Sequence, residues 1–204
     1  MKFFKENSYD IVKLFINQVG ITIFSFMLYT AVAMIENDSL FLKINAFVSV
    51  FAIIFYFSLL YTAAWDIGAK DKIRVDSGKA VSTPTKGLKM ALLANVPNFL
   101  LASFAVIFMG IYMYFGGEWF YSAFFVLNML IRFILAMFLG VIQGIFSFLP
   151  STDPESSTFC LSYFLQSLGF LVAPILSALV THFGYRMGSA ERKLFSFVST
   201  SKKK

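Results

Sequence analysis

The sequence contains few of the residues from which catalytic and metal sites are usually built. Its 204 residues include one cysteine, Cys160, and one histidine, His182. A single cysteine excludes an intramolecular disulfide and a metal site built on paired thiolates. No His-Glu-x-x-His motif is present and no carboxylate lies within the long apolar runs, so metalloprotease and aspartyl chemistry have no support. We therefore expect no enzymatic activity, no metal and no cofactor.

Charged residues are scarce and apolar residues are abundant. Only 14% of the residues are charged and 58% are hydrophobic, whereas a soluble domain has roughly a quarter of its residues charged. Five runs carry almost no charge, and each is long enough to cross a bilayer because about 20 helical residues span its apolar core. The runs cover residues 14–35, 44–64, 90–115, 119–149 and 159–185. The sequence predicts an all-α integral membrane protein, with one bundle of five hydrophobic segments forming a single domain over residues 1–204.

The basic residues are concentrated in three places. Fifteen of the 17 lysines and arginines lie in residues 2–13, 65–89 and 186–204. Basic residues in short loops remain on the cytoplasmic side during insertion, so we expect all three segments there, with 65–89 as a basic cytoplasmic loop. This bias explains the net charge of +6 without a nucleic-acid partner. The same loop is a candidate contact for anionic lipid, although three aspartates dilute its charge.

The fourth run, 119–149, poses a topological question. It lies between Glu118 on one side and Asp153 and Glu155 on the other, intervals that both carry acids and no base. Two full crossings need about 40 residues, more than this run contains. We expect a descent that ends near residue 139 and a broken, re-entrant return that begins near Gly140, with both termini inside. The alternative is one long tilted helix that places the C-terminal lysines outside.

Two runs carry small residues at intervals of four, a pattern typical of helix contact faces in membranes. The expected packing positions are Ala136, Gly140 and Gly144 in the fourth run and Gly169, Ala173, Ser177 and Thr181 in the fifth. Gly140 and Gly144 alternatively mark a hinge. Pro97 and Pro174 lie inside the third and fifth runs and are expected to kink them.

Arg132 is the charged residue inside the fourth run, and it is the leading candidate for a binding site. On a continuous helix, Asn128 and Gln143 project within about 60° of it. A charge at membrane depth costs at least about 2.5 to 3.5 kcal/mol, and Glu118 is roughly 21 Å away along such a helix. Three outcomes follow for Arg132, namely pairing with amides and backbone carbonyls, contact with lipid phosphates, or binding of an anionic solute or partner acid.

The third run adds two amides, Asn95 and Asn98, on one helical face. If the third and fourth runs are antiparallel, both amides reach the depth of Arg132, and one cluster becomes possible. Hydrogen bonding across helices and ligand contact are both open for them. Gln166 in the fifth run is expected to pair across the bundle.

Two functional classes are compatible with these features. The first is a small-solute transport protein, or the membrane subunit of a transporter, with a polar face of Arg, Asn and Gln. The second is a non-catalytic membrane partner, such as an assembly, immunity-type or scaffold protein, whose small-residue faces dock other helices. The composition, rich in phenylalanine and isoleucine, favours the cytoplasmic membrane of a bacterium. A co-purifying small anion would distinguish the first class from the second.

Overall fold

The computed structural model describes residues 2–81, 83–146 and 157–191, and within them every regular element is a helix. The predicted all-α class is therefore confirmed. The described helices, in chain order, are α1 Lys2–Val32, α2 Asp38–Asp76, α3 Lys86–Ala94, α4 Val96–Phe115, α5 Glu118–Ile134, α6 Ala136–Phe146 and α7 Ser157–Ser189.

Several helices have the length and composition of membrane spans. Four of them, α1, α2, α4 and α7, are long and apolar enough to cross a membrane, and the number rises to five if α5 and α6 count as one bent span. These helices are compatible with the membrane protein that the apolar runs predict.

The second helix continues well beyond its apolar run. It has 39 residues and is thus about 58 Å long, almost twice the thickness of a bilayer core. Asn37 caps its start by accepting a hydrogen bond from the Leu40 backbone at 3.0 Å, and Gly78, with a φ of 71°, follows its end. Most of the interval 65–89, expected as a loop, is therefore helical.

The third run is broken at Asn95, between α3 and α4. Pro97 lies in the first turn of α4, where its missing N–H has no cost. The Asn95 side chain donates to the carbonyl of Ala91 at 2.9 Å, and the Asn95 backbone N–H donates to the same carbonyl at 3.0 Å. The predicted kink near Pro97 is thus present as a break between α3 and α4. In contrast, α7 remains one helix through Pro174.

The fourth run is also broken, as predicted, but the predicted position near Gly140 is wrong. The chain bends by 115° between α5 and α6, and the break lies at Leu135. Gly140 is needed for a different purpose, because a Cβ at this position would overlap the carbonyl oxygen of Asn45 in α2. The glycine allows α6 to pack directly on the α2 backbone.

Hydroxyl groups from neighbouring helices satisfy the backbone at this break. Thr22 donates to the carbonyl of Ile134 at 2.6 Å. Ser49 donates to the carbonyl of Met137 and accepts from the Gly140 N–H at 3.1 Å. Non-helical backbone inside an apolar bundle needs such partners.

The contacts of α6 show its direction. Met137, near its start, contacts Ser49, whereas Gly144, near its end, lies beside Ala46. Since α2 begins at Asp38, α6 runs back toward the start of α2. It has 11 residues, about 16 Å, or half a bilayer core. The pair α5 and α6 therefore forms a reversal rather than one long helix.

The three basic segments meet at one end of the bundle, as far as the structure describes them. The Lys89 ammonium lies 6.0 Å from the centre of the Phe3 ring, which brings the start of α1 to α3. The Tyr185 hydroxyl donates to Asp71 at 3.0 Å, which brings the end of α7 to α2. We call this the basic end, formed by the start of α1, residues 65–89 and the last turns of α7.

Glycines set the contact between α2 and α7. A Cβ at Gly68, Gly184 or Gly188 would approach the backbone of the facing helix too closely. The predicted packing residues Ala136, Ala173 and Ser177 are buried, and Gly169 contacts Ile142. The backbone contacts at Gly68, Gly184 and Gly188 were not predicted, because these residues lie in or near the polar ends of their segments.

Candidate functional site

The polar side chains inside the bundle form three separate groups rather than one. The Arg132 cluster contains Arg132, Ser162, Tyr163 and Gln166, and Asn128 lies one helical turn before Arg132 on α5. The amide cluster contains Gln18, Asn95 and Asn98. The third group is the pair Asn45 and Gln143. The predicted binding residues are therefore distributed over all three groups.

Gln143 does not join Arg132. Its Oε1 accepts from Asn45 Nδ2 at 2.9 Å, on the far side of the break between α5 and α6. The expectation that Gln143 and Arg132 share a face assumed one continuous helix, and the 115° bend removes that condition.

Arg132 is half-buried and is held by residues of α7. Its Nη2 donates to Gln166 Oε1 at 2.6 Å, and its guanidinium carbon lies 5.0 Å from the centre of the Tyr163 ring. Gln166 in turn donates through Nε2 to Ser162 Oγ at 3.2 Å. Gln166 thus pairs across the bundle, as predicted, and its partner is the arginine.

The partners that hold Arg132 are uncharged. The three salt bridges among the described residues use only Asp71 and Asp76 as acids. Arg132 Nε is buried and has no hydrogen-bond partner among the residues that the structure describes, and the same is true of Asn128 Nδ2. Residues four apart on a helix lie about 5–6 Å from each other. One face of α5 therefore presents a cation and two unpaired donors, which is a suitable environment for an anionic acceptor.

The end of α5 compensates part of this charge. Arg132 lies in the last turn of the helix, where the partial negative charge of the helix end stabilises a cation by about 0.3–1 kcal/mol. Tyr163 adds a cation–π contact, of about 0.5–1 kcal/mol at exposed sites and more when desolvated. These contributions are smaller than the several kcal/mol that burial of an ion costs. The arginine is therefore tolerated in the bundle without being fully paired.

Asn95 and Asn98 belong to the amide cluster and not to the Arg132 cluster. Asn98 is fully buried, and its Nδ2 donates to Gln18 Oε1 and to Asn95 Oδ1, both at 2.9 Å. The sequence did not identify Gln18 as the partner, because helical periodicity predicts which residues share a face but not which helix lies opposite.

A further cluster, at the basic end, was not predicted. Asp71 Oδ2 is 2.7 Å from Lys86 Nζ and accepts from the Tyr185 hydroxyl, so that one carboxylate joins α2, α3 and α7. Both members of the ion pair are largely buried, with 14% and 13% of their side chains exposed. The signal in the sequence that could have identified this cluster is that Asp71 lies among basic residues, with Arg74 three residues later. Because Lys86 is paired here, it contributes less positive charge to any lipid contact.

Three of the cavities that are lined by described residues lie away from Arg132. One of about 130 Å³ adjoins Asp71 and Tyr185, one of about 420 Å³ adjoins Glu118 and Cys160, and one of about 230 Å³ adjoins Gln18 and Asn98. Arg132 lines none of these three.

The described residues offer no metal centre. Within residues 2–81, 83–146 and 157–191, no group of three His, Cys, Asp or Glu side chains is placed to hold a metal ion.

Comparisons with known proteins found no matching family model, no matching curated protein and no matching solved structure.

Proposed function

We propose that the protein is a membrane-spanning bundle of a bacterial cytoplasmic membrane and acts as a small-solute transport protein or as the membrane subunit of a transporter. In this proposal Arg132 receives an anionic group of the solute. The observation that carries it is a half-buried guanidinium whose described partners are all uncharged, beside a second unpaired donor on Asn128.

The position of Arg132 supports this function. It lies three residues before the break at Leu135 and about 21 Å along α5 from Glu118, well inside the bundle. Transporters commonly bind solutes where helices are discontinuous, because the ends of half-helices present charge and unpaired backbone groups. The reversal formed by α5 and α6 provides such a discontinuity.

The chemistry of the site also supports an anion. A carboxylate or phosphate oxygen accepts from Arg132 Nε and Asn128 Nδ2, both unpaired without a ligand. Hydrogen bonds between ionised groups are roughly twice as strong as neutral ones. Gln166 then acts as an uncharged substitute that holds the guanidinium when no solute is present.

The arrangement of the bundle supports an orientation in which the basic end faces the cytoplasm. The described parts of all three basic segments lie at the basic end, so the positive-inside rule is satisfied if that end faces the cytoplasm. Both termini are then inside.

The alternative, a membrane partner that docks other helices through small-residue faces, has less support. Gly140 and Gly169 lie against Asn45 and Ile142 of the same chain. Ser177 and Thr181 are buried in the bundle, and their hydroxyls donate to carbonyls of their own helix. These predicted docking faces are largely used inside the bundle.

Analysis of bound small molecules tests the proposal. Wild type, Arg132→Gln and the control Arg186→Gln are purified from native membranes, denatured, and analysed for anions by mass spectrometry. Arg186 is an exposed arginine at the basic end, so the control makes the same chemical change outside the site. We expect a stoichiometric soluble anion with wild type and the control, and its loss in Arg132→Gln.

Two results would contradict the proposal. One is the absence of any stoichiometric soluble anion from wild type. The other is a phospholipid that is lost specifically in Arg132→Gln, because that result assigns the arginine to lipid binding. Uptake of the identified anion into proteoliposomes then measures transport itself, which we expect to be absent with Arg132→Gln.

A further inference from the structure

A cavity of about 420 Å³ lies where α4 ends and α5 begins, beside the first turns of α7. We call it the Glu118 cavity, and its wall is formed by Tyr112, Met113, Gly116, Gly117, Glu118 and Cys160. Binding cavities for small molecules usually have volumes of about 300–1,000 Å³. Met113, Gly117 and Glu118 are exposed, so a small solute can reach this cavity from outside the bundle.

The turn between α4 and α5 leaves part of the wall without side chains. Gly116 and Gly117 have φ values of 70° and 100°, a backbone conformation that strains other residues. A Cβ at Gly116 would meet no atom within 4 Å. The turn therefore needs glycine for its backbone, and the absence of two side chains keeps the cavity open.

Glu118 gives this cavity a negative charge that no described residue neutralises. Within the described part of the chain, the salt bridges use only Asp71 and Asp76 as acids. No lysine, arginine or histidine is among the residues that line the cavity. A cleft that carries one sign of charge raises the local concentration of ions of the opposite sign. The Glu118 cavity therefore favours a cation.

The composition of the wall favours an organic cation over a metal ion. Calcium takes six to eight oxygen ligands and magnesium needs an octahedral set, whereas Glu118 is the one carboxylate in this wall. The described residues contain no group of three His, Cys, Asp or Glu side chains placed to hold a metal ion. An alkylated ammonium ion needs one counter-charge and apolar surface, which Glu118, Met113 and Tyr112 provide.

The Tyr112 ring adds a second attraction for such a cation. It is packed against the Tyr121 ring, with the two centroids 5.1 Å apart. A cation within about 6 Å of the centre of an aromatic ring is attracted by the negative face of the ring. Because Tyr121 supports Tyr112, this ring is already ordered before a ligand binds.

We infer that the Glu118 cavity binds a soluble organic cation that carries an alkylated ammonium group. The ammonium group lies beside the Glu118 carboxylate, and its alkyl groups contact Tyr112 and Met113. Lipid head groups also carry ammonium groups, but their phosphate needs a basic partner, and the residues of this wall include none. This site is separate from the Arg132 cluster and does not depend on the function proposed for it.

Binding of choline tests the inference. The matched probe is neohexyl alcohol, the same molecule with carbon in place of the charged nitrogen. Both are titrated against the full chain in an uncharged maltoside detergent and followed by saturation-transfer NMR, with the signal from empty micelles subtracted. We expect choline to bind about five- to tenfold more tightly than the alcohol, since only choline gains the ion pair and the cation–π contact.

Four variants locate the site and separate its contributions. Glu118→Gln removes the charge at nearly constant volume and should abolish the preference for choline. Glu36→Gln makes the same change at an exposed acid outside the cavity and should retain that preference. Met113→Trp fills the cavity and should abolish binding of both probes. Leu100→Trp, at an exposed position of α4 outside the cavity, should bind both as wild type does.

Equal affinity of choline and the alcohol for wild type overturns the inference, and so does a preference that survives Glu118→Gln. Choline binding that persists in Met113→Trp also overturns it, because the site then lies elsewhere. If Met113→Trp fails to fold, the two probes on wild type and Glu118→Gln still decide the matter. Tighter binding of glycerophosphocholine than of choline would assign the site to lipid head groups instead. Arg132→Gln should leave choline binding unchanged.

Discussion

Arg132 and Gln166 form a pair in which only one member is charged. The 2.6 Å hydrogen bond between them is the contact that allows a guanidinium to remain half-buried without an acid. Removal of the neutral partner therefore leaves an unpaired charge, whereas removal of the charge leaves an amide that Ser162 still contacts. Removal of Gln166 and removal of the charge on Arg132 should therefore change the free energy of unfolding by different amounts.

Gln166→Leu should lower the free energy of unfolding by about 1–3 kcal/mol, the cost of an unsatisfied buried donor. In an Arg132→Gln background the same change should cost much less, since no charge is then left unpaired. Thermal unfolding in detergent of wild type, both single variants and the double variant gives the coupling energy. Equal effects of Gln166→Leu in both backgrounds would show that the pair is not coupled.

Asp71 and Asp76 are two acids of α2 that each form an ion pair, and they differ in burial. The Asp71 side chain is 14% exposed and joins three helices. Asp76 is 54% exposed, and Lys72 is its one ion-pair partner within the described part of the chain. Asp71→Asn should therefore destabilise the bundle by about 1–3 kcal/mol, and Asp76→Asn by less than about 0.5 kcal/mol. Thermal unfolding of the two variants is the measurement. A larger loss with Asp76→Asn would be inconsistent with a structural role for Asp71.

At this scale the sequence predicts part of the candidate site, which stays a prediction. Arg132 was recognisable because it is a charge in an apolar run, and Asn128 because it lies one turn away. Gln143 was misassigned because the helix between it and Arg132 is broken. Tyr185 and Asp71 are 114 residues apart, and no local pattern links residues at such a separation.

At the scale of elements, the position of the break between α5 and α6 depends on neighbouring helices. The run 119–149 contains one charged residue, Arg132, and its glycines indicate a break near Gly140. The chain bends earlier because Thr22 and Ser49 supply hydroxyls for the carbonyls of Ile134 and Met137. The lengths of the apolar runs thus predicted the helices, but tertiary hydrogen bonds determine where the fourth run bends.

Gly140 and Gly144 allow a direct test of how α6 packs. A Cβ at Gly140 would overlap the backbone of Asn45, whereas a Cβ at Gly144 would lie 3.7 Å from the Ala46 methyl group, an ordinary contact. Gly140→Ala should cost about 1–3 kcal/mol through overpacking, while Gly144→Ala should be nearly neutral. Unfolding in detergent measures both, and a tolerated Gly140→Ala would mean that α6 does not contact α2 in this way.

At the scale of the whole molecule, the ends of the bundle differ in charge. The turn between α1 and α2 lies opposite the basic end, since α1 starts at that end and runs away from it. Glu36 is exposed in this turn, and Lys79 is exposed at the basic end. The two residues should therefore lie on opposite sides of the membrane.

Cysteine labelling tests this arrangement. In a Cys160→Ser background, a membrane-impermeant maleimide applied to intact cells, or to spheroplasts, should label the Glu36→Cys variant. The Lys79→Cys variant should be labelled only after the cells are lysed, because the positive-inside rule places the basic end in the cytoplasm. Labelling of both variants before lysis, or of Lys79→Cys alone, would contradict the proposed topology.

Membrane insertion is the central claim, because the reversal of α5 and α6 and the uncompensated Arg132 are interpreted on that basis. Extraction of membranes from cells that express the full chain tests it most directly. We predict that the protein stays in the membrane pellet after an alkaline carbonate wash and is released only by detergent. Recovery of a folded, water-soluble monomer without detergent would contradict it.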